Sequence, residues 1–233
     1  MEIHALSFDR PLADSLFLCL LNRVDIRKRE KIKRYWRWHD AHRALLADLL
    51  LRRLLSLKTN LPPSHFSFSL EKYGKPFLSD GNSLHFNVSH SGEWVVCIFD
   101  NGPVGVDIEQ IKDIEYGLFE DCFACGEWEF LQDAGFSESL KRFYQLWTLK
   151  ESYIKMTGKG FDTSLSSFAV KPHPGGKYSV VVDGMKQQGI FFREYDIDQE
   201  YRLSVCALNE DFPRSWTPVG LDKVLDFYLR DGK

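Results

Sequence analysis

The sequence lacks the features that would place it among membrane, secreted or nucleic-acid-binding proteins. No apolar run approaches the roughly 20 residues of a membrane-spanning helix, and the N-terminus lacks the basic, apolar and small-residue order of a secretion signal. These absences predict a cytoplasmic protein that does not bind membranes. The formal net charge of −3 is small and negative, which argues against a general nucleic-acid binder.

Cysteine is scarce and odd in number, with five in 233 residues. A chain of this length with so few cysteines is expected to hold reduced thiols and no disulfide framework. Cys122 and Cys125 form one C-x-x-C pair. Because a zinc site usually needs a second pair of ligands, a zinc-binding structural protein is the least favoured alternative.

The composition and the order of elements predict an α+β protein. Hydrophobic residues make up 44% and charged residues 27% of the chain, as in a normal packed domain. The order strand, helix, strands occurs about twice and breaks near residues 101–103. We therefore predict two similar α+β halves, at 1–102 and 103–233. The predicted elements include an edge strand at 2–8, a long helical region at 27–57, a strand at 104–109 and a helix at 137–156.

Cations crowd into one short stretch of the first half. Only Glu30 opposes them, and the members are Arg27, Lys28, Arg29, Lys31, Lys33, Arg34 and Arg37. Such a stretch is suited to a small polyanion or an acidic partner protein.

Two carboxylates share one face of the predicted strand at 104–109. Side chains alternate along a strand, so Gly105, Asp107 and Glu109 lie opposite the apolar residues of the same strand. A solvent-exposed polar face is the ordinary explanation. The alternative is a cation held between the two carboxylates, with the missing side chain of Gly105 leaving room for a ligand.

A third carboxylate, Glu151, continues an apolar face of the predicted helix at 137–156. The spacing of Leu140, Tyr144 and Trp147 places Glu151 on their side, with Lys155 one turn later. The bland explanation is a helical Glu–Lys pair. If all three carboxylates meet, however, their oxygens suit Mg²⁺ or Mn²⁺.

Three motifs together resemble the surfactin-synthetase-activating (Sfp-type) phosphopantetheinyl transferases. They are Phe86-Asn-Val-Ser-His-Ser91, Val104-Gly-Val-Asp-Ile-Glu109 and Trp147-Thr-Leu-Lys-Glu-Ser-Tyr-Ile-Lys155, supported by Tyr73-Gly-Lys-Pro76 and Asp40-Ala-His-Arg43. The resemblance covers about residues 1–210. It implies a monomeric pseudo-dimer with the 4'-phosphopantetheinyl transferase fold, and a coenzyme A site between its halves.

The resemblance also implies roles for individual residues. Mg²⁺, or Mn²⁺ in its place, would be held by Asp107, Glu109 and Glu151. Coenzyme A would be contacted by Lys28, Lys31, Arg43, Gly74, Lys75, Pro76, Ser89, His90 and Lys155. Catalysis would involve Glu151 as the base, directly or through a metal-bound water, with Lys155 and His90 assisting at the pyrophosphate.

The implied reaction moves phosphopantetheine from coenzyme A to a serine of an apo carrier protein. The carrier could belong to a peptide or polyketide synthetase, as in antibiotic biosynthesis, or to a fatty acid synthase. The alternatives are a metal-dependent coenzyme A pyrophosphohydrolase and a non-catalytic module that binds coenzyme A or carrier proteins. The apolar residues between Tyr116 and Trp128 either fill the second half's core or dock the carrier. In the second case Phe119 and Phe123 are the candidate anchors.

Overall fold

The computed structural model describes residues 1–79, 83–124, 126–133 and 135–230 and confirms the predicted α+β class. Its helices are α1 Asp14–Leu21, α2 Ile26–Lys33, α3 Trp38–Thr59, α4 Glu127–Gln132, α5 Phe136–Thr157 and α6 Leu221–Arg230. Its strands are β1 Glu2–Ser7, β2 Phe68–Leu70, β3 Pro76–Leu78, β4 His85–Ser91, β5 Trp94–Asp100, β6 Val104–Gln110, β7 Phe168–His173, β8 Lys177–Val182, β9 Met185–Lys186, β10 Phe191–Tyr195, β11 Tyr201–Ala207 and β12 Thr217–Pro218. None of the described helices is long and apolar enough to cross a membrane.

The long helical region predicted at 27–57 divides into two helices. The carboxylate of Asp25 caps α2 by accepting from the Lys28 amide at 3.0 Å. A turn at residues 34–37 separates it from α3. Helix α3 is buried along residues 44–51, where Asp48 is the single charged side chain, so it forms the centre of the first half's core. It ends at Asn60, whose φ of 58° gives the left-handed cap, just before the two prolines.

The two halves repeat one arrangement of three antiparallel strands and a long helix. The first half has the sheet order β1-β5-β4 and helix α3, and the second has β6-β11-β10 and helix α5. Each long helix has 22 residues. In chain order, it follows the first of the three strands of its half and precedes the other two. The predicted likeness of the halves is therefore present in the topology.

The halves pack through one apolar layer. Ile3, Ala5, Val96 and Ile98 of the first sheet meet residues of β6 and β11, including Val106 and Leu203. All six side chains are at most 1% exposed, so water is excluded from this layer.

The C-terminal segment returns to the first half, which the sequence did not indicate. Strand β12 pairs in parallel with β1, so β1 is an inner strand and the prediction of an edge strand is wrong. In α6, Val224 and Tyr228 join the core around α3, and the Tyr228 hydroxyl donates to Leu49 O at 2.9 Å. The predicted division at 102/103 stays a prediction, and residues 217–230 pack with the half before it.

His42 connects α3 to the chain that precedes α1, and this contact predicts a loss of stability in acid. Its Nδ1 lies 2.8 Å from Trp38 O, and its Nε2 accepts from the Leu12 amide at 3.1 Å, so the ring is neutral. Burial lowers the pKa of His42 below its ordinary value of 6.5. The unfolded chain therefore binds the proton more readily, and the stabilisation present above about pH 6.5 is lost as the pH falls.

We expect the melting temperature to fall less in His42→Gln than in the wild type between about pH 7.5 and about pH 5. Glutamine can keep both hydrogen bonds without titrating. Equal pH dependence in the two proteins, measured by calorimetry, would show that His42 is not responsible.

Candidate active site at the junction of the two halves

Two carboxylates of β6 lie at the junction, as the alternation of that strand predicts. Val104, Val106 and Ile108 face the apolar layer, while Asp107 and Glu109 face the other way. Asp107 is only 3% exposed, and Glu109 is half-buried. Both accept hydrogen bonds from serines of β4 that belong to the first half.

The space beside Gly105 is occupied by a helix, so the prediction that it leaves room for a ligand is wrong. A Cβ on Gly105 would lie 2.0 Å from Ser152 O and 2.4 Å from Met156 N of α5. The missing side chain therefore lets α5 pack directly on β6. This close packing places Glu151 and Lys155 next to the carboxylates of β6.

Lys155 forms an ion pair with a carboxylate of β6 at this junction. Its Nζ lies 2.5 Å from Asp107 Oδ1 and 3.0 Å from Ser89 Oγ. The other carboxylate oxygen, Asp107 Oδ2, is buried and has no hydrogen-bond partner among the described residues. A buried oxygen of this kind needs an explanation, and a bound cation would supply one.

Burial raises the pKa values of all three carboxylates. It raises the pKa of Glu109 to about 7, with repulsion from Asp107 as the next cause. It also raises the pKa of Asp107, although the nearby Lys155 ammonium opposes the shift, and that of Glu151. The three groups therefore interact in a poorly hydrated place, where a cation would offset their repulsion.

The three carboxylates do not converge into a finished metal site. Among residues 1–79, 83–124, 126–133 and 135–230, no group of three or more His, Cys, Asp or Glu side chains could hold a metal ion. Asp107 is engaged by Lys155 and Glu109 by Ser91. The donor set and the unpartnered Asp107 Oδ2 nevertheless fit Mg²⁺, which binds few carboxylates and keeps waters.

Cations from both halves surround His90 at the exposed end of β4. Desolvation lowers the pKa of His90 to about 4, a hydrogen bond to its own backbone opposes this shift, and the charges of Arg43, Lys155 and Lys28 add to it. Lys28 Nζ is held by Asp48 at 3.0 Å, and Arg43 donates to Gly92 O at 2.8 Å. These contacts hold the cationic side chains at one end of the junction. Lys31 lines a surface groove on α2 together with Ile26 and Arg34, and its predicted contact with coenzyme A stays a prediction.

The Tyr73–Pro76 turn and helix α5 together line a cleft of about 500 Å³. Gly74, Lys75 and Pro76 line it together with Glu151 and Lys155. Lys75 Nζ donates to Val104 O at 3.1 Å and to Met156 O at 3.2 Å, so it ties the turn to β6 and to the end of α5. Gly158 and Gly160, with φ of 70° and 52°, allow the chain after α5 to approach that turn closely.

Several important contacts could not be found from the sequence. Lys150 and Glu127 form a buried ion pair in the second half, with 2.6 Å between Nζ and Oε2. Ser91 donates to Glu109 Oε2 at 2.6 Å. The position of Lys150, directly before Glu151 in a motif, was the only available signal. Cys125 lies outside the described residues, so the predicted C-x-x-C pair is described only at Cys122, a free, half-buried thiol.

Known proteins resemble this chain over nearly its whole length. The family model of the 4'-phosphopantetheinyl transferase superfamily matches residues 103–206, and that of the 4'-phosphopantetheinyl transferase N-terminal region matches 10–100. The chain is 39% identical to the 4'-phosphopantetheinyl transferase ffp of Bacillus subtilis, over 97% of this chain and 100% of the relative. It is 37% identical to the 4'-phosphopantetheinyl transferase Sfp of Bacillus subtilis (strain 168), with the same two coverages.

A third relative comes from another genus. The 4'-phosphopantetheinyl transferase gsp of Aneurinibacillus migulanus is 36% identical over 83% of this chain and 80% of the relative. These matches leave the hydrolase and the non-catalytic binding module without support. The chain belongs to the Sfp-type 4'-phosphopantetheinyl transferases, the enzymes that transfer the phosphopantetheine group of coenzyme A to carrier proteins.

Proposed function

We propose that this chain carries out the transfer with Mg²⁺ at the junction of its two halves. A carrier serine hydroxyl attacks the phosphorus on the pantetheine side of coenzyme A, and adenosine 3',5'-bisphosphate leaves. The observation that best supports this site is the meeting of cations around His90 with the carboxylates Asp107 and Glu109. A pyrophosphate substrate needs cationic partners, and a divalent metal needs carboxylate oxygens.

Asp107, Glu109 and Glu151 are the residues proposed to hold the metal. When bound, Mg²⁺ would offset the negative charge that develops on the leaving group, and Mn²⁺ shares its preference for oxygen ligands. Lys155 neutralises pyrophosphate charge from the side of α5. His90 is placed to donate an N–H to a phosphate oxygen.

Glu151 is proposed to accept the proton of the attacking serine. It lines the cleft together with Lys155, and burial raises its pKa above the ordinary carboxyl value. A raised pKa makes a carboxylate a stronger base, which helps because a serine hydroxyl is a weak nucleophile.

Intact-mass measurement on a panel of apo carrier proteins tests this proposal. The panel includes carriers of peptide synthetases, polyketide synthetases and fatty acid synthase, each incubated with coenzyme A and Mg²⁺. We expect the mass of one phosphopantetheine to be added to at least one carrier, and the reaction to stop when the metal is chelated. Adenosine bisphosphate released equally without a carrier would contradict the proposal.

Lys28 is proposed to bind coenzyme A without taking part in the chemistry. A hydrogen bond to a charged group contributes about 1.5–3 kcal/mol, so Lys28→Met should raise the KM for coenzyme A about tenfold or more at nearly constant kcat. In this variant Asp48 still has a cationic partner, because Arg52 Nε lies 2.7 Å from Asp48 Oδ2. Lys33→Met, on the exposed side of α2, is the matched control and should leave KM unchanged.

Calorimetry with dephospho-coenzyme A provides the second readout for Lys28. We expect weaker binding than that of coenzyme A to the wild type, because one phosphate is missing. The difference should shrink in Lys28→Met. If both ligands bind the wild type equally well, the basic end of the junction does not recognise that phosphate.

The apolar stretch between β6 and α5 is mostly a small core of its own. Phe123 is 6% exposed and packs on Phe143, with ring centroids 5.5 Å apart, and Phe119 lies partly buried between Phe143 and Trp147. Phe123 is therefore not a surface anchor. Leu118, by contrast, is 79% exposed at the outside of this cluster. We propose Leu118 as the anchor for the carrier protein.

One variant of Leu118 and one of Phe123 distinguish a role in carrier docking from a role in core packing. Leu118→Ala should raise the KM for the carrier several-fold without changing the melting temperature or coenzyme A affinity. Phe123→Ala removes a buried ring and should cost about 3–5 kcal/mol of stability. A stable Leu118→Ala enzyme with an unchanged carrier KM would remove this residue from the interface.

The chain is proposed to work as a monomer in the cytoplasm. The two halves supply the cations and the carboxylates of one site within a single chain, as the pseudo-dimer predicts. Sedimentation at working concentration should therefore give the mass of one chain.

A further inference from the structure

Strands β4 and β6 meet as two sheet edges that share no backbone ladder. Among the strands that the structure describes, β4 pairs with β5 and β6 pairs with β11. Three side chains of β4 replace the missing ladder. Asn87 Oδ1, Ser89 Oγ and Ser91 Oγ accept from the amides of Val106 at 2.9 Å, Ile108 at 3.3 Å and Gln110 at 3.1 Å. We call these three residues the polar seam.

The polar seam sets the register between the halves. Its members are spaced by two residues on β4, and the amides that they cap are spaced by two residues on β6. A slip of one residue would place each oxygen opposite an amide that already pairs with β11, so all three bonds would be lost together.

Both serines of the seam also hold a carboxylate. Ser89 Oγ donates to Asp107 Oδ1 at 3.0 Å, and Ser91 Oγ donates to Glu109 Oε2 at 2.6 Å. A hydroxyl has one proton to donate and two lone pairs to accept, so each serine can serve the amide and the carboxylate at once. Among the described residues Asn87 holds no carboxylate, because Gly105 stands where the corresponding carboxylate would be.

We propose that Ser91 is a positioning residue that orients Glu109 toward the metal. The proposal rests on the proposed metal role of Glu109. Because the Ser91 hydroxyl fixes one carboxylate oxygen of Glu109, the side chain is restricted to few rotamers, and the other oxygen is free to face the metal. Ser91 is itself tied to the backbone of β6, so the orientation depends on the register of the two halves. Hydrogen-bond partners that orient metal ligands typically change metal affinity by about 10–100-fold when removed.

Titration of the full chain with Mn²⁺ tests this role. The free Mn²⁺ is measured by electron paramagnetic resonance at each step, which gives the Kd for Mn²⁺. Coenzyme A is present and the carrier is absent, so there is no turnover. Ser91→Ala should raise the Kd for Mn²⁺ at least about tenfold. Ser91→Thr, which keeps the hydroxyl, should restore most of the affinity. Asn87→Ala is the matched control, since it removes one seam bond but no carboxylate contact, and its Kd should stay near the wild-type value.

Glu109→Gln separates failure of this inference from failure of the metal assignment. If Glu109→Gln binds Mn²⁺ as the wild type does, the assignment of Glu109 is wrong, and the role of Ser91 falls with it. If Glu109→Gln binds weakly but Ser91→Ala binds normally, only the positioning role is wrong. An equal loss in Asn87→Ala and Ser91→Ala would show a general effect of the seam on folding and overturn the specific role. Should Ser91→Ala fail to fold, Ser91→Cys, with a weak S–H donor of similar size, is expected to show the same loss of affinity.

Discussion

Asp107→Asn is expected to lower kcat by about a thousandfold or more while the protein stays folded. The substitution keeps the shape of the side chain and an oxygen that can accept from Ser89, but it removes the negative charge. A metal that stabilises charge at a transferring phosphoryl group contributes several kcal/mol, and each factor of ten in rate corresponds to about 1.4 kcal/mol. Lys155 would also lose the partner that lies 2.5 Å from its Nζ.

Asp100 offers a matched control for this substitution. It is also a buried aspartate, 7% exposed, and its partners are Asn209 and the N-terminal amine. Asp100→Asn removes an equally buried charge outside the junction, so it should lower the melting temperature without the loss in kcat. Rates are measured over a range of Mg²⁺ concentrations. Near-wild-type turnover of Asp107→Asn at low Mg²⁺ would falsify the metal assignment.

Local periodicity predicted the parts of the site that depend on one element at a time. Alternation on β6 placed Asp107 and Glu109 on one face, and the helical spacing of α5 placed Glu151 beside Trp147. Both placements depend only on neighbours along the chain, and the structure has them as predicted. The predicted bounds of α5, 137–156, differ by one residue at each end from the observed Phe136–Thr157.

Contacts between distant segments could not be predicted in this way. The sequence predicts room for a ligand beside Gly105, because it does not show which segment fills the space above a glycine. The contact that fills it joins β6 to Ser152, far along the chain. Strand β12 was missed because two residues carry no periodicity, and their partner in β1 lies at the other end of the sequence. The polar seam was missed because serine hydroxyls also serve turns and caps.

The C-terminal segment limits the likeness of the halves. The outer edge of β6 faces the polar seam, whereas the outer edge of β1 is covered by β12. The corresponding positions of the two halves therefore cannot form the same site. Strand β1 corresponds to β6 in the first half, but after Glu2 it contains no aspartate or glutamate that could match Asp107 and Glu109. The two carboxylates proposed to hold the metal on β6 therefore have no counterpart on β1.

The buried pair of Lys150 and Glu127 is expected to have a large effect on stability. Lys150 is 1% exposed and Glu127 4%. The Lys150 ammonium donates to Glu127 Oε2 and to Phe168 O, both at 2.6 Å. Glu127 in turn accepts from the amides of Ala124 and Val170, at 2.8 and 2.6 Å. The pair thus connects α5 to α4 and to β7.

Removing one partner leaves the other charged and buried, so Lys150→Met should cost about 3–5 kcal/mol in the free energy of unfolding. Glu127→Gln should be similarly costly, since burial already lowers the pKa of Lys150 and Glu127 is the largest influence that opposes this shift. The double variant removes both charges. It should be clearly more stable than the sum of the single effects predicts, because neither charge is left without a partner.

Urea unfolding of the wild type, both single variants and the double variant measures this coupling. Arg230→Met serves as the surface control, because the Arg230–Asp226 pair is 81% and 60% exposed and such pairs contribute about 0.5 kcal/mol or less. The residue after Lys150 is Glu151, which lines the cleft, so we expect loss of the pair to disturb the rotation of α5 at that position. We therefore expect kcat of the double variant to stay below wild type even where its stability recovers. Additive effects of the two single substitutions would show that the two charges do not depend on each other.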